Sequence, residues 1–362
     1  MRTDHPGLLM GAYAVLLLAA SLPSQAVADP AIAFVASRAV TVGHGNNAVT
    51  TAHFDLMVMD ADGRNPTVVL TRTSGSSSTL ALDDPTWSPD LDGNRANGFQ
   101  GCLAVLIREG ANGSYSLYVM DIAVSGGIPQ ASNLRKLVDA ATDPNVGVGG
   151  GAFDPEWSPD LDLFTTGYQG AIAFIGSTDG GHSSSVNLIA MVWDGATAQL
   201  VGPPSSSVVL FDGHPTGEFP FNPTWSPDGA RIATNEGSRI LVIDAATGWK
   251  TSTLSLSSYA GDGQWSRTSS RVAFGIGPIS TIDVDAGVAS LAVVSVPNSG
   301  GSRHPTWSPD DSSLVFANVA STNKSKWNIV RMNLSTGAQT VLVNGQTTGR
   351  NLRLSKPDWR RF

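Results

Sequence analysis

Pro223-Thr224-Trp225-Ser226-Pro227-Asp228-Gly229 is the stretch from which the rest of the chain can be read. Ser-Pro-Asp-Gly is a tight turn: proline presets φ at the second position, and aspartate and glycine suit the next two. Arg231-Ile232-Ala233 then starts a strand. The stretch has relatives elsewhere in the chain. Pro85-Thr86-Trp87-Ser88-Pro89-Asp90, Pro155-Glu156-Trp157-Ser158-Pro159-Asp160 and Pro305-Thr306-Trp307-Ser308-Pro309-Asp310 repeat it. Gly263-Gln264-Trp265-Ser266 and Pro357-Asp358-Trp359 are weaker copies. Successive tryptophans stand 70, 68, 40, 42 and 52 residues apart, a base unit of about 40 with insertions in the earlier copies.

The segment after each tryptophan repeats too. An apolar strand comes first, such as Leu103-Ala104-Val105-Leu106-Ile107 or Leu314-Val315-Phe316. Then come a variable loop and a second strand ending in an Asp/Asn turn, as at Ile240-Leu241-Val242-Ile243-Asp244. A short last strand, such as Gln339-Thr340-Val341-Leu342-Val343, closes the unit. Four short strands per unit of about 40 residues is the signature of a β-propeller blade. The chain ends just after Trp359, with only a first strand made. The N-terminal unit begins at Ile32-Ala33-Phe34-Val35 and lacks a first strand. The expectation is an all-β, six-bladed β-propeller over residues 29–362, closed by pairing of N- and C-terminal strands in one blade. Such pairing leaves no open sheet edge.

Trp-Ser-Pro-Asp-Gly, the Ile-Ala-Phe strand, and an apolar strand ending Met59-Asp60-Ala61-Asp62-Gly63 resemble the WD-like repeat of the TolB-like propeller family. The resemblance covers nearly the whole chain after residue 28. It implies a periplasmic protein that works with partners of the cell envelope. TolB proteins carry an α/β domain before the propeller, and this chain is similar to the propeller part only.

Composition agrees with strands and turns. The 39 glycines and 21 prolines suit a turn-rich chain, and 41% hydrophobic residues suffice for a core. Thirty acids against 22 bases give a net charge of −8, which argues against nucleic acid or an anionic membrane surface as partner. Arg2, the apolar stretch Leu8 to Leu22 and Ala26-Val27-Ala28 read as a secretory signal peptide over residues 1–28. The mature chain is expected in the periplasm or the medium, not inserted in a membrane, and as a monomer. Cys102 is the single cysteine, so no internal disulfide or cysteine-based zinc site can form.

Two sets of residues are candidates for chemistry. Three residues before each motif tryptophan stand Asp84, Asp154, Asn222, Asp262, His304 and Lys356, which repeat symmetry gathers at one end of the central channel. They could hold a cation or a basic partner side chain, or bond backbone amides to start each first strand. The histidines His44, His53, His182, His214 and His304 fall on the same loop face. There they could form a metal or substrate site, or be ordinary loop residues. The loops of this face span 38–54, 71–84, 136–153, 177–186, 203–221 and 318–326. Paired aspartates at Asp90-Leu91-Asp92 and Asp160-Leu161-Asp162 read as an extended turn, with a divalent cation such as calcium as the alternative. No cofactor motif stands up: Gly147-Val148-Gly149-Gly150-Gly151-Ala152 matches a dinucleotide fingerprint only as text, and is expected to be a loop. The motif tryptophans themselves read as packing between blades.

The leading expectation is a protein-binding or envelope scaffold whose site includes Asp84, Asp154, Asn222, Asp262, His304, Lys356, His214 and His182. A metal-assisted, lyase-like polysaccharide-degrading propeller is the enzymatic alternative, with the histidines as its ligands. A structural or adhesion module is the third.

Overall fold

The computed structural model describes residues 30–42, 49–74, 81–89, 98–109, 113–146, 151–159, 170–177, 184–194, 199–201, 207–213, 217–257, 259–275, 278–294, 301–319, 327–345 and 356–360. The expected signal peptide, the paired aspartates at 90–92 and 160–162, and His44, His182 and His214 lie outside them. Among the described residues no helix is long and apolar enough to cross a membrane.

Six antiparallel sheets make up the fold, one for each tryptophan motif. Blade 1 joins β1 (Ile32–Val42), β2 (Val49–Met59) and β3 (Thr67–Ser74) to the C-terminal β25 (Asp358–Trp359), in the order β25-β1-β2-β3. Its junction with the chain end is short, Ile32 opposite Trp359 and Ala33 opposite Asp358. Blade 2 runs β4 (Leu82–Trp87), β5 (Phe99–Arg108), β6 (Tyr115–Ser125) and β7 (Ile128–Val138). Blade 3 holds β8 (Gly151–Trp157), β9 (Gly170–Ser177) and β10 (Ser184–Asp194). Its outer strand comes in two pieces, β11 (Gln199–Val201) and β12 (Val208–Asp212), both paired with β10.

Blade 4 is β13 (Phe221–Trp225), β14 (Arg231–Glu236), β15 (Arg239–Asp244) and β16 (Lys250–Ser255). Blade 5 is β17 (Gly263–Trp265), β18 (Arg271–Phe274), β19 (Ile279–Asp283) and β20 (Ala292–Val294). Blade 6 is β21 (Ser302–Trp307), β22 (Ser313–Val319), β23 (Trp327–Asn333) and β24 (Gln339–Asn344). The first strands β4, β8, β13, β17, β21 and β25 touch one another in succession around the ring. They therefore form its innermost layer.

The tryptophans explain why the blades stack. Trp87, Trp157, Trp225, Trp265 and Trp307 are at most 1% exposed, and Trp359 is 6% exposed. Each lies in a hydrophobic cluster shared by its own blade and the one before. Trp225, for example, packs with Ala173, Ile175 and Val186 of blade 3 and Ile232 and Ile243 of blade 4. Trp359 joins blade 6 (Val315, Ile329) to blade 1 (Ile32, Phe34). A buried tryptophan removes roughly 200 Å² from water, worth at most about 5 kcal/mol each at ~25 cal/mol per Å². Guanidinium groups cover some of the rings: Arg231 lies 5.1 Å from the centroid of Trp265, and Arg271 5.0 Å from that of Trp307.

The turns match the sequence reading. Gly229 N donates to Ser226 O, closing the Ser-Pro-Asp-Gly turn, and Asp228 accepts from Ser226 Oγ and Ala230 N. Gly63 N donates to Asp60 O, and Gly248 N to Asp244 O. Several loop limits differ from expectation. β1 and β2 extend well into the 38–54 interval, so His53 is a strand residue, opposite Arg38 and Thr73. The 203–221 interval contains β12, and Gly151-Ala152 begin β8 instead of continuing a loop. In each case ladder hydrogen bonds to a neighbouring strand override a weak local pattern.

Candidate functional site

The first strand of each blade builds the channel wall. In β4, β8, β13 and β21 the ladder slips by a β-bulge just before the tryptophan, between Asp83 and Thr86, Phe153 and Glu156, Phe221 and Thr224, and Arg303 and Thr306. The bulge residue lies in the left-handed region in all four: Asp84 at φ 43°, Asp154 at 50°, Asn222 at 49° and His304 at 53°. Aspartate, asparagine and histidine are the non-glycine residues most tolerant of this conformation. Backbone geometry thus accounts for the residue types at four of the six expected ring positions. Asp262 and Lys356 are not among the positive-φ residues. In blade 5 Gly261 takes that conformation instead, at φ 60°.

The six positions do converge. His304 Nδ1 lies 2.9 Å from Asp262 Oδ2. Lys356 Nζ lies 3.4 Å from Asp154 Oδ1, and Asn222 N donates to Asp154 Oδ2 at 3.1 Å. Asn222 also bonds Asp262 through its side chain. Lys356 is the centre of the group. Burial alone would discharge it, but Asp154, Asp84, Asp262 and Glu156 hold its ammonium pKa above the ordinary lysine range. Asp84 goes the other way. Burial, then repulsion from Asp83 and Asp154, raises its carboxyl well above the usual range, against the pull of Lys356 and His304. Asp262 is also pushed up by burial, yet His304, Lys356 and Asn222 outweigh that and bring it down to about 2.

These groups rim a recess of about 320 Å³, counting its solvent-open part, lined by Pro85, Pro155, Pro305, Pro357, Asp262, His304, Lys356 and Glu156 among others. A proline two residues before the tryptophan removes a backbone donor from the wall and stiffens it. Tyr259, 53% exposed, stands close enough for Asp262 and Asp154 to raise its phenol pKa after burial does. Phe219 and Phe221 are also exposed, at 39% and 40%. The Phe219 amide donates to Glu236, and Ala260 N to Gly237 O, so these aromatics cluster at one sector of the ring.

Below the mouth lies a second ring, one residue before each tryptophan, that the sequence reading did not single out. Its side chains reach the backbone of the next blade. Thr224 Oγ1 accepts from Trp265 N at 2.8 Å, Gln264 Oε1 from Trp307 N at 3.1 Å, Thr306 Oγ1 from Trp359 N at 3.2 Å, and Asp358 Oδ2 from Trp87 N at 2.7 Å. Thr224 Oγ1 in turn donates to Glu156 Oε1 at 3.1 Å. Asp358 is the anchor: it also takes Arg267 at 3.2 Å and Gln264 Nε2 at 3.2 Å through Oδ1. Arg267 stands where other copies have proline, and its side chain is only 4% exposed. That departure from the motif was the signal in the sequence.

Compared with solved structures, the chain is similar to propellers. A structure assigned as TolB from Agrobacterium tumefaciens matches with a TM-score of 0.51 and 16% identity, over 86% of this chain and 91% of that one. A chain of a nidogen/laminin complex matches with a TM-score of 0.51 and 10% identity, over 90% and 97%. A puromycin hydrolase matches over 84% of this chain and 53% of its own, at a TM-score of 0.44 and 14% identity. No protein-family model matches the chain, and no curated protein matches it in sequence. At these identities the two matches at a TM-score of 0.51 show the β-propeller fold and nothing finer.

His182 and His214, expected at the loop face, lie outside the described residues. His53 stands apart from the mouth, with Nε2 3.3 Å from Thr51 Oγ1. Among the described residues no group of three or more His, Cys, Asp and Glu is arranged to hold a metal ion. Cys102 is buried, and its thiol donates to Asp121 at 3.4 Å.

Proposed function

We propose that this chain is an exported binding propeller that engages a protein of the cell envelope through the charged channel mouth. The observation that carries the reading is the recess in which Lys356 sits among Asp84, Asp154, Asp262 and Glu156, beside the His304–Asp262 pair. Charges held in a partly desolvated recess on a rigid ring act strongly on a partner's polar side chain, because solvent screens them little. The exposed Tyr259, Phe219 and Phe221 supply aromatic contact area of the kind that anchors protein interfaces. The TolB-like fold supports a binding scaffold working in the periplasm or the medium.

A photo-crosslinking residue at Tyr259 tests this in cells carrying the full chain with its leader. The expected result is one dominant adduct in the envelope fraction. The neutral pair D262N/H304N should remove it while the purified variant melts within a few degrees of wild type. An equal adduct from the neutralised variant would exclude the mouth as the binding surface.

A further inference from the structure

The pairings at the mouth leave one carboxylate over. His304 is committed to Asp262, and Lys356 lies on Asp154, whose other oxygen takes the Asn222 amide. Asp84 is partly exposed, and among the described residues nothing donates a hydrogen bond to its carboxylate. Asp83 and Asp154 both repel it. Arg303, next to His304, lies over the ring of Trp327 at 6.0 Å. Lys356 and His304 act on Asp84 through space, but each is bonded elsewhere.

A carboxylate held among like charges, with no bonded counter-charge, is complementary to a cation from outside, which relieves the repulsion. The surroundings select the kind of cation. The channel below the rim has room for a water-sized group only, so a larger ligand stops at the rim, where Asp84 is reached. Six first strands meet around the channel, so blade 2, which carries Asp84, faces blade 5 across it. On that far side the chain entering blade 5 carries Tyr259, within reach of Asp262 and Asp154, with Phe219 and Phe221 in the same exposed sector. A ligand that uses both sides needs a long stem that lies against aromatic rings and a head that fits a carboxylate. Arginine has both: its planar fork gives two parallel N–H donors to one carboxylate, and it stacks on aromatic faces. The net charge of −8 draws a basic segment toward the chain.

We propose that the protein partner presents an arginine side chain to the mouth, its guanidinium on Asp84 and its stem and flanking residues against Tyr259, Phe219 and Phe221. This rests on the protein-binding reading of the mouth and names the contact group of the partner. The guanidinium donates to both oxygens of Asp84 and supplies the counter-charge that Lys356 and His304 give to other carboxylates. A lysine brings the charge without the fork, and a citrulline brings the shape without the charge.

The test has two arms. In the first, the purified chain is titrated with N-acetylarginine methylamide and its lysine and citrulline counterparts, followed through the carboxyl-carbon NMR signal of Asp84. The arginine derivative should give a saturable shift in the ~millimolar range expected of so small a ligand, the lysine derivative a weaker one and the citrulline derivative none. In the second, D84N is placed in the full chain carrying the crosslinking residue at Tyr259. Asparagine suits the left-handed backbone there, so the variant should fold, and its adduct should drop roughly tenfold. No shift with the arginine derivative, an equal shift with citrulline, lysine binding as tightly as arginine, or an undiminished D84N adduct would overturn the arginine contact. A wild-type chain that gives no adduct at all overturns the protein-binding reading instead, so the two failures are told apart. The titration needs no variant, and a poorly folding D84N leaves it intact.

Discussion

Replacing Asp358 by alanine is expected to cost far more than its single carboxylate suggests. Its Oδ2 takes the amide of Trp87 at 2.7 Å, and its Oδ1 takes Arg267 and Gln264 at 3.2 Å each. D358A leaves Arg267, only 4% exposed, without its counter-charge, and leaves the Trp87 amide with no acceptor. Breaking a buried ion pair from one side costs about 3–5 kcal/mol, and an orphaned buried amide about 1–3 kcal/mol. Arg267 keeps the Trp359 carbonyl at 3.0 Å, which places the sum near the lower ends, about 4 kcal/mol. For a ring of this size, at ~2 °C per kcal/mol, the melting temperature should fall by about 8 °C. Urea unfolding monitored by tryptophan fluorescence measures the loss directly. R267M/D358A removes the stranded charge and should recover about half of it. A loss below about 1 kcal/mol for D358A, or no recovery in the double variant, would refute the anchoring role.

The mouth gives further expected outcomes. Asp262 titrates at about 2 in the fold against 3.8 unperturbed, so its ionised form adds stability above pH 4 that is lost as pH falls toward 2. That difference is about 2 kcal/mol, and urea midpoints of D262N should fall less than those of wild type between pH 4 and pH 2. Asp84 has the opposite sign: its raised pKa makes ionisation cost stability as pH rises. D84N, whose asparagine suits φ 43°, should therefore be more stable than wild type at pH 7 and nearly equal at pH 3. A less stable D84N at pH 7 would contradict the charge account.

The mouth was legible because a repeat maps equal sequence positions onto equal places in the ring. Asp84, Asp154, Asn222, Asp262, His304 and Lys356 could be gathered from their distance to a tryptophan alone. Why four of them are Asp, Asn or His was not legible. The reason is a left-handed backbone at a bulge, and a bulge is fixed by register with the next strand. The loop limits at 38–54 and 203–221 failed for a related cause: polar, weakly alternating segments such as Thr50-Thr51-Ala52-His53 become strand only when a neighbour offers a ladder.

Six tryptophan motifs in a 362-residue chain determine a β-rich ring of six units, because an aromatic at a fixed repeat position must be buried once per unit. Tertiary structure alone decided the polar wiring. The Asp358 carboxylate and the Trp87 amide are 271 residues apart in sequence, and Thr224 reaches Trp265 across a blade boundary. Hydrogen bonds and ion pairs act over about 3 Å, so which groups meet depends on how blades stack. The charge state of the mouth has the same origin: Asp84 and Asp262 occupy equivalent repeat positions, yet their carboxyls shift in opposite directions according to the neighbours the ring brings to each.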